Sequence, residues 1–178
     1  MYKYLISSAI YLNLSWETYN SDRLGLSIKH PSTWDIHEKE NRFEKGVDLG
    51  METREESGRR TFSANLENPT NTTDIAELTD TIMDRDVGGY FDINREIRLM
   101  EATNTTRYTI DGEKAGSFIT VIHNKNDTSD LGIAAEWVVT THNGRTFVFI
   151  FSSPGEDFDT QYVTEMRKQM FDSIKWQS

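Results

Sequence analysis

The run Phe147-Val148-Phe149-Ile150-Phe151 limits what this chain can become more than any other stretch. Neighbouring side chains of an extended strand point to opposite faces, so the three phenylalanines line one face while Val148 and Ile150 line the other. Both faces are then apolar, which places the strand inside a sheet covered on both sides. A sheet with one wet face would alternate apolar with polar, and a closed barrel would line its interior with only one of the two sets. The expected fold is α+β, an α-β-α sandwich with a central antiparallel β-sheet covered by helices.

Two helical stripes can supply the covers. Asp74 followed by Glu77 forms a cap-like start, Ile75, Leu78, Ile82 and Met83 repeat at helical spacing, and Gly88-Gly89 provides a stop, so a helix is expected over about Thr73 to Val87. Its outer face carries Glu77, Asp80, Asp84 and Asp86 and reads as a solvated acidic surface. Toward the C-terminus, Ser153-Pro154-Gly155-Glu156 has the form of a capping box with proline at the first helical position. The stripe of Phe158, Tyr162, Met166 and Met170 then predicts a second helix over about Gly155 to Phe171.

The remaining segments read as strands and turns. Leu24, Leu26 and Ile28 share one face of a strand that ends at the proline turn Pro31-Ser32-Thr33, and Trp34 with Ile36 restarts the apolar pattern. Pro31 and Trp34 are thus expected to be structural. Strands are further expected at Trp16 to Tyr19, Val47 to Met51, Arg60 to Leu66, Ile97 to Ala102, Thr106 to Ile110, Ala115 to His123, Ile133 to Thr141 and Arg145 to Ser152, with the first hairpin turn at Asn20-Ser21-Asp22-Arg23. Asp111-Gly112 and Asn143-Gly144 are tight-turn pairs, because a two-residue hairpin needs positive φ and glycine accepts it. Gly112 and Gly144 join the structural residues.

A length of 178 residues suits one domain, expected over 16–178. Residues 1–15 read either as the remnant of a signal peptide or as the first element of the fold; the apolar part, Tyr2 to Leu14, is shorter than the roughly 20 residues a membrane span needs. Membrane association would require a lost signal or anchor. The net charge of −10 and pI near 4.8 oppose phosphate backbones, so nucleic acid is not an expected partner. With no cysteine, disulfides, thiolate metal sites and cysteine nucleophiles are excluded together.

No motif assigns a reaction or a cofactor. Among His30, His37, His123 and His142 no pair has the spacing that sets two imidazoles on one helical face. His123 and His142 each close an expected strand, and they would form a metal site if those strand ends adjoin. Asn124, Asn126, Thr128 and Asp130 imitate the start of a calcium loop, but Ser129 stands where that loop needs glycine and Ala135 where it needs a bidentate glutamate. The Gly-x-Ser-x-Gly elbow, the phosphate-binding Gly-x-x-x-x-Gly-Lys loop and the dinucleotide Gly-x-Gly-x-x-Gly are all missing. Glu55 and Glu56 fall in a charged loop that offers no burial to raise a pKa.

Four ordered segments resemble the PsbP-like domain family. Trp16-Glu-Thr-Tyr19, with Leu24-Gly-Leu-Ser-Ile-Lys29 leading to Pro31-Ser-Thr-Trp34, is similar to its opening. Thr109-Ile-Asp-Gly-Glu-Lys-Ala115 resembles its Asp-Gly-x-x-Ala hairpin, Asn143-Gly-Arg-Thr-Phe147 its penultimate turn and strand, and Phe171-Asp-Ser-Ile-Lys175 its terminal motif. His30 stands where tyrosine is usual and Ile174 where phenylalanine is usual. The resemblance implies an α-β-α sandwich, a fold shared with a Ran-binding nuclear import factor. The best known members are lumenal proteins of photosystem II that help retain calcium and chloride; many bacterial and archaeal relatives are exported proteins or lipoproteins. The expected function is a non-enzymatic protein-interaction or assembly module acting outside the cytoplasm on an unidentified protein partner. A module binding a small ligand or calcium, manganese or zinc is the alternative, and an enzyme of unknown type is third.

Overall fold

The computed structural model describes residues 14–39, 48–55, 58–67, 72–88, 95–124 and 131–177. In chain order the elements are β1 (Trp16–Ser21), β2 (Leu26–Pro31), β3 (Asp35–Glu38), β4 (Leu49–Glu55), β5 (Gly58–Leu66), α1 (Ile75–Gly88), β6 (Arg95–Ile110), β7 (Glu113–Asn124), β8 (Ile133–His142), β9 (Arg145–Pro154), α2 (Gln161–Asp172) and β10 (Lys175–Trp176). Strands β3-β4-β5-β9-β8-β7-β6 form a seven-stranded antiparallel sheet. The strand with two apolar faces, β9, is the middle one.

Each face of β9 meets a different core. Phe147, Phe149 and Phe151 pack with Val163, Met166, Met170 and Phe171 of α2 and with Leu24, Leu26 and Ile28. On the opposite face Val148 and Ile150 meet Leu78, Ile82 and Met83 of α1, together with Phe118 and Trp137. The sandwich read from the sequence is the observed fold.

The first strands leave the main sheet. β1 and β2 form a hairpin that pairs with β10, giving a separate three-stranded sheet on the α2 side. Pro31 ends β2, its carbonyl accepts from Trp34 N at 3.0 Å, and the Trp34 ring lies 6.3 Å from Phe151. Gly112 and Gly144 adopt φ of 89° and 71°, and Asp111 and Asn143 before them are also positive, at 48° and 50°. Both hairpins are therefore two-residue turns of the mirror-image type that suits the twist of the strands.

Three sequence expectations need correction. The second helix begins at Gln161, not Gly155: Ala134 pairs with Ser153 and Ile133 with Pro154, so the capping-box-like segment ends β9 instead. The true cap is Thr160, whose side chain accepts from Val163 N at 3.4 Å. Segments 97–102 and 106–110 are one strand, β6, whose pairing with β7 shifts register between Leu99 and Glu101 and again between Thr103 and Tyr108. The irregularity absorbs the polar Thr103–Thr106 stretch without ending the strand. The first hairpin turn falls at residues 22–25, because Gly25, with φ of 69°, supplies the bend. Residues 1–13, 40–47, 56–57, 68–71, 89–94, 125–130 and 178, which include the charged segment after β3 and the calcium-loop-like run from Asn126 to Asp130, lie outside the described residues.

Candidate functional site

Cross-strand rows on the α1 face of the large sheet change character halfway across. Register aligns Asp35, Glu52, Thr61, Ser152 and Ala135 in one row, and His37, Gly50, Ser63, Ile150, Trp137 and Phe118 in the next. The half formed by β6, β7, β8 and part of β9 is apolar and lies under α1, where the Phe118 and Trp137 rings stack at 5.3 Å. The half formed by β3, β4, β5 and the end of β9 is small and polar, and among the described residues no helix covers it. It holds a shallow groove of about 360 Å³, floored by Gly50, Thr61, Ser63 and Ser152 and walled by His37 and Ile133.

Sequence chemistry explains this division. β5 alternates Phe62 and Ala64 toward the α2 core with Thr61 and Ser63 toward the groove. The Thr61 and Ser152 hydroxyls bond each other at 2.7 Å, and Arg59 pairs with Glu52. Leu131 and Ile133 are the large apolar side chains left exposed among the described residues, at 59% and 45%. Ile133 lines the groove and Leu131 precedes it by two residues.

A polar staple fixes the outer edge of this half. Tyr19 donates to Glu38 Oε2 at 2.6 Å, and Ser21 donates to Glu38 Oε1. Arg23 reaches Asp48 Oδ1 at 2.8 Å, while Asp48 also accepts from Leu66 N at 2.7 Å and faces Lys39 at 3.6 Å. Burial first, and then the hydrogen bond and charge of Glu38, push the Tyr19 phenol up to about 12. The hairpin β1-β2 is thereby tied to β3, whose His37 lines the groove.

The two histidines considered as metal ligands are not brought together. β7 and β8 run antiparallel, Ile122 opposite Ile133 and Ala115 opposite Thr140, so His123 and His142 sit at opposite ends of the shared ladder. His123 Nε2 is 2.9 Å from Glu96 Oε1. His142 stacks flat on Trp176, centroids 4.3 Å apart and planes 5° from parallel, with Glu113 Oε1 at 3.4 Å. His30 is buried and bonded to the Pro31 carbonyl, and His37 faces the groove. Among the described residues no three His, Asp or Glu side chains cluster closely enough to hold a metal ion.

No protein-family model and no curated protein matches the chain. Solved structures do. Cyanobacterial PsbP (CyanoP) from Synechocystis sp. PCC 6803 aligns with a TM-score of 0.66 over 92% of this chain and 94% of its own, at 17% identity. The fold is PsbP-like. The same PsbP-like architecture aligns with the Ran-binding protein Mog1p of Saccharomyces cerevisiae, at a TM-score of 0.56, 9% identity and coverage of 92% and 96%. LpqN of Mycobacterium tuberculosis, involved in cell envelope biogenesis, gives a TM-score of 0.50 at 12% identity with full coverage of both chains. At these identities the likeness shows the fold, and function must be argued from the site. No helix among the described residues is long and apolar enough to cross a membrane.

The groove was not named by sequence reasoning. Its signal was present in the Thr61/Ser63 alternation opposite Phe62/Ala64, but that pattern alone does not tell a solvated sheet face from a contact surface.

Proposed function

We propose that this PsbP-like domain is a non-enzymatic protein-interaction module, acting outside the cytoplasm through the open half of its large sheet. One observation carries the reading: among the described residues the rest of the large sheet is covered, by α1 on one face and by α2 with the three-stranded sheet on the other, while this half keeps an open hydroxyl floor walled by the exposed Ile133. Exposed apolar groups rimmed by polar ones mark interaction surfaces. The Ran-binding role of Mog1p supports a binding function for this architecture, and the cell-envelope role of LpqN supports an extracytoplasmic one.

Site-specific photocrosslinking in the source cell tests the proposal. A benzophenone side chain at Thr61 is expected to capture one reproducible protein, and the same group at Glu165 on α2 is expected not to. Fractionation should place the crosslinked complex outside the cytoplasm. Turnover of an ester, phosphate or glycoside substrate that is abolished by changing a groove residue would overturn the reading.

A further inference from the structure

The last strand, β10, is two residues long and depends on its surroundings more than on its own ladder. It pairs with β2 at Ser27 and Leu26, and Gln177 N donates to the Gly25 carbonyl at 2.9 Å. Asp111, at the turn between β6 and β7, accepts from Trp176 N at 3.0 Å and from Lys175 Nζ at 2.8 Å. The indole Nε1 of Trp176 is buried and hydrogen-bonds to nothing among the described residues. Packing therefore holds the side chain: Phe147 at 4.8 Å and Phe149 at 6.4 Å, both tilted, and His142 lying flat on the indole at 4.3 Å.

One of these three neighbours can change its charge near neutral pH, because histidine is the side chain that titrates between about pH 5 and 8. An imidazolium stacked on an indole gains a cation–π attraction that the neutral ring lacks. The charges around the ring divide. Glu113 on β7 sets Oε1 3.4 Å from His142 Nδ1 and favours the protonated form. Asp111 acts in the same sense: the Lys175 hydrogen bond first, then the Trp176 N–H and the charges of Lys175 and His142, hold its carboxyl below the usual value. Arg145 on β9, directly opposite His142, and Lys175 on β10 act against it. Both are engaged elsewhere, since the Arg145 guanidinium lies over the Phe147 ring at 5.2 Å and Lys175 is paired with Asp111. β2 adds no charge where it meets β10, at Ser27 and Leu26. Asn143 Nδ2, 3.0 Å from His142 Nε2, is an exposed amide that turns its oxygen to the ring once both ring nitrogens donate. We infer that His142 is a pH-sensitive latch on the C-terminal strand: its protonated ring clamps Trp176, and its neutral ring lets β10 open and free the β2 edge at Leu26 and Ser27. Because the proton is taken up more readily with β10 docked, docking strengthens as pH falls through the histidine range.

Amide hydrogen exchange of the full chain tests the latch, read by NMR at about pH 5.5 and about pH 8, on either side of the histidine range, and expressed as protection factors. The amides of Trp176 and Gln177 are expected to be about two- to fivefold better protected at the lower pH, the equivalent of one exposed cation–π contact. Val139 and Phe149, in the middle of the sheet, should show no such change. His142→Gln, which cannot titrate, should make the protection of Gln177 equal at the two pH values, and Trp176→Leu, which keeps apolar bulk but removes the indole face, should do the same. In the parent protein the ring-proton resonance of His142 should move over the same pH interval, a reading that needs no variant. A pH response that survives His142→Gln, an equal response at Val139 and Phe149, better protection at the higher pH, or a His142 ring that does not titrate over the interval would each overturn the inference.

Discussion

Glu136 of β8 and Arg167 of α2 meet at 3.1 Å between sheet and helix, with 3% and 11% of their side chains exposed. Tyr108 of β6 donates to the other Glu136 oxygen at 3.0 Å, and the Arg167 guanidinium lies 4.1 Å over the Phe158 ring. Burial first, then the charge and hydrogen bond of Glu136, hold the Tyr108 phenol well above its usual range. Removing one partner of such a buried pair leaves the other charge uncompensated, at a cost of about 3–5 kcal/mol. Arg167→Met is expected to lose that much in urea unfolding, and adding Glu136→Gln should restore a large part of it. Equal stability of the single and double variants would show that the pair is not coupled.

Trp34 tests the opposite end of the same core. It is 5% exposed, and its ring faces Phe151 on the central strand. Trp34→Ala is expected to cost about 3–5 kcal/mol, as truncation of a large buried aromatic does. A melting temperature unchanged by the substitution would refute the anchoring role of the Pro31–Trp34 turn.

These two sites mark what was legible in the sequence. Strand β9 could be placed at the centre because its five-residue apolar run has no solvated face, whatever its neighbours. Trp34 and the turn glycines were legible because proline and glycine restrict the backbone locally. The start of α2 was not, since Ser153-Pro154-Gly155-Glu156 satisfies the local rules for a helix cap while pairing with β8 overrides them. The groove was also out of reach. Thr61 and Ser63 are open because α1 sits to one side of the sheet, and that placement is tertiary. The separation of His123 from His142 depended on strand register in the same way.

The placement of α1 has a specific cause in Gly116 of β7. A Cβ there would come within 2.1 Å of Thr79 Oγ1 and 3.1 Å of Thr79 Cβ on the helix. Gly144 is the contrasting case, because a Cβ there meets nothing within 4 Å and only its φ of 71° is strained. Gly144→Ala is expected to cost about 1–2 kcal/mol, the ordinary penalty for a left-handed L-residue, without moving any element. Gly116→Ala is expected to cost more and to shift amide resonances along α1. Thr79→Ala in the same chain should relieve only part of the loss, since the contact at Cβ remains. Identical shift patterns for the two glycine variants would contradict the close approach.

Asp48 gives the polar staple a pH dependence of definite sign. Burial works to raise its pKa, but the Leu66 N–H, the Arg23 hydrogen bond and the charges of Arg23 and Lys39 outweigh burial and hold the carboxyl below its usual value. A carboxyl depressed in the folded state stabilises it fully above the unfolded pKa of about 3.9, and that contribution disappears as pH falls through the lower folded value. Asp48→Asn removes the titration. The variant is therefore expected to be less stable than the parent at neutral pH, and the gap should close as the solution is acidified below about pH 4. Urea midpoints measured for both proteins across the acid range check this. Two curves that stay parallel to the lowest pH would show that Asp48 does not hold β3 and the first hairpin together through its charge.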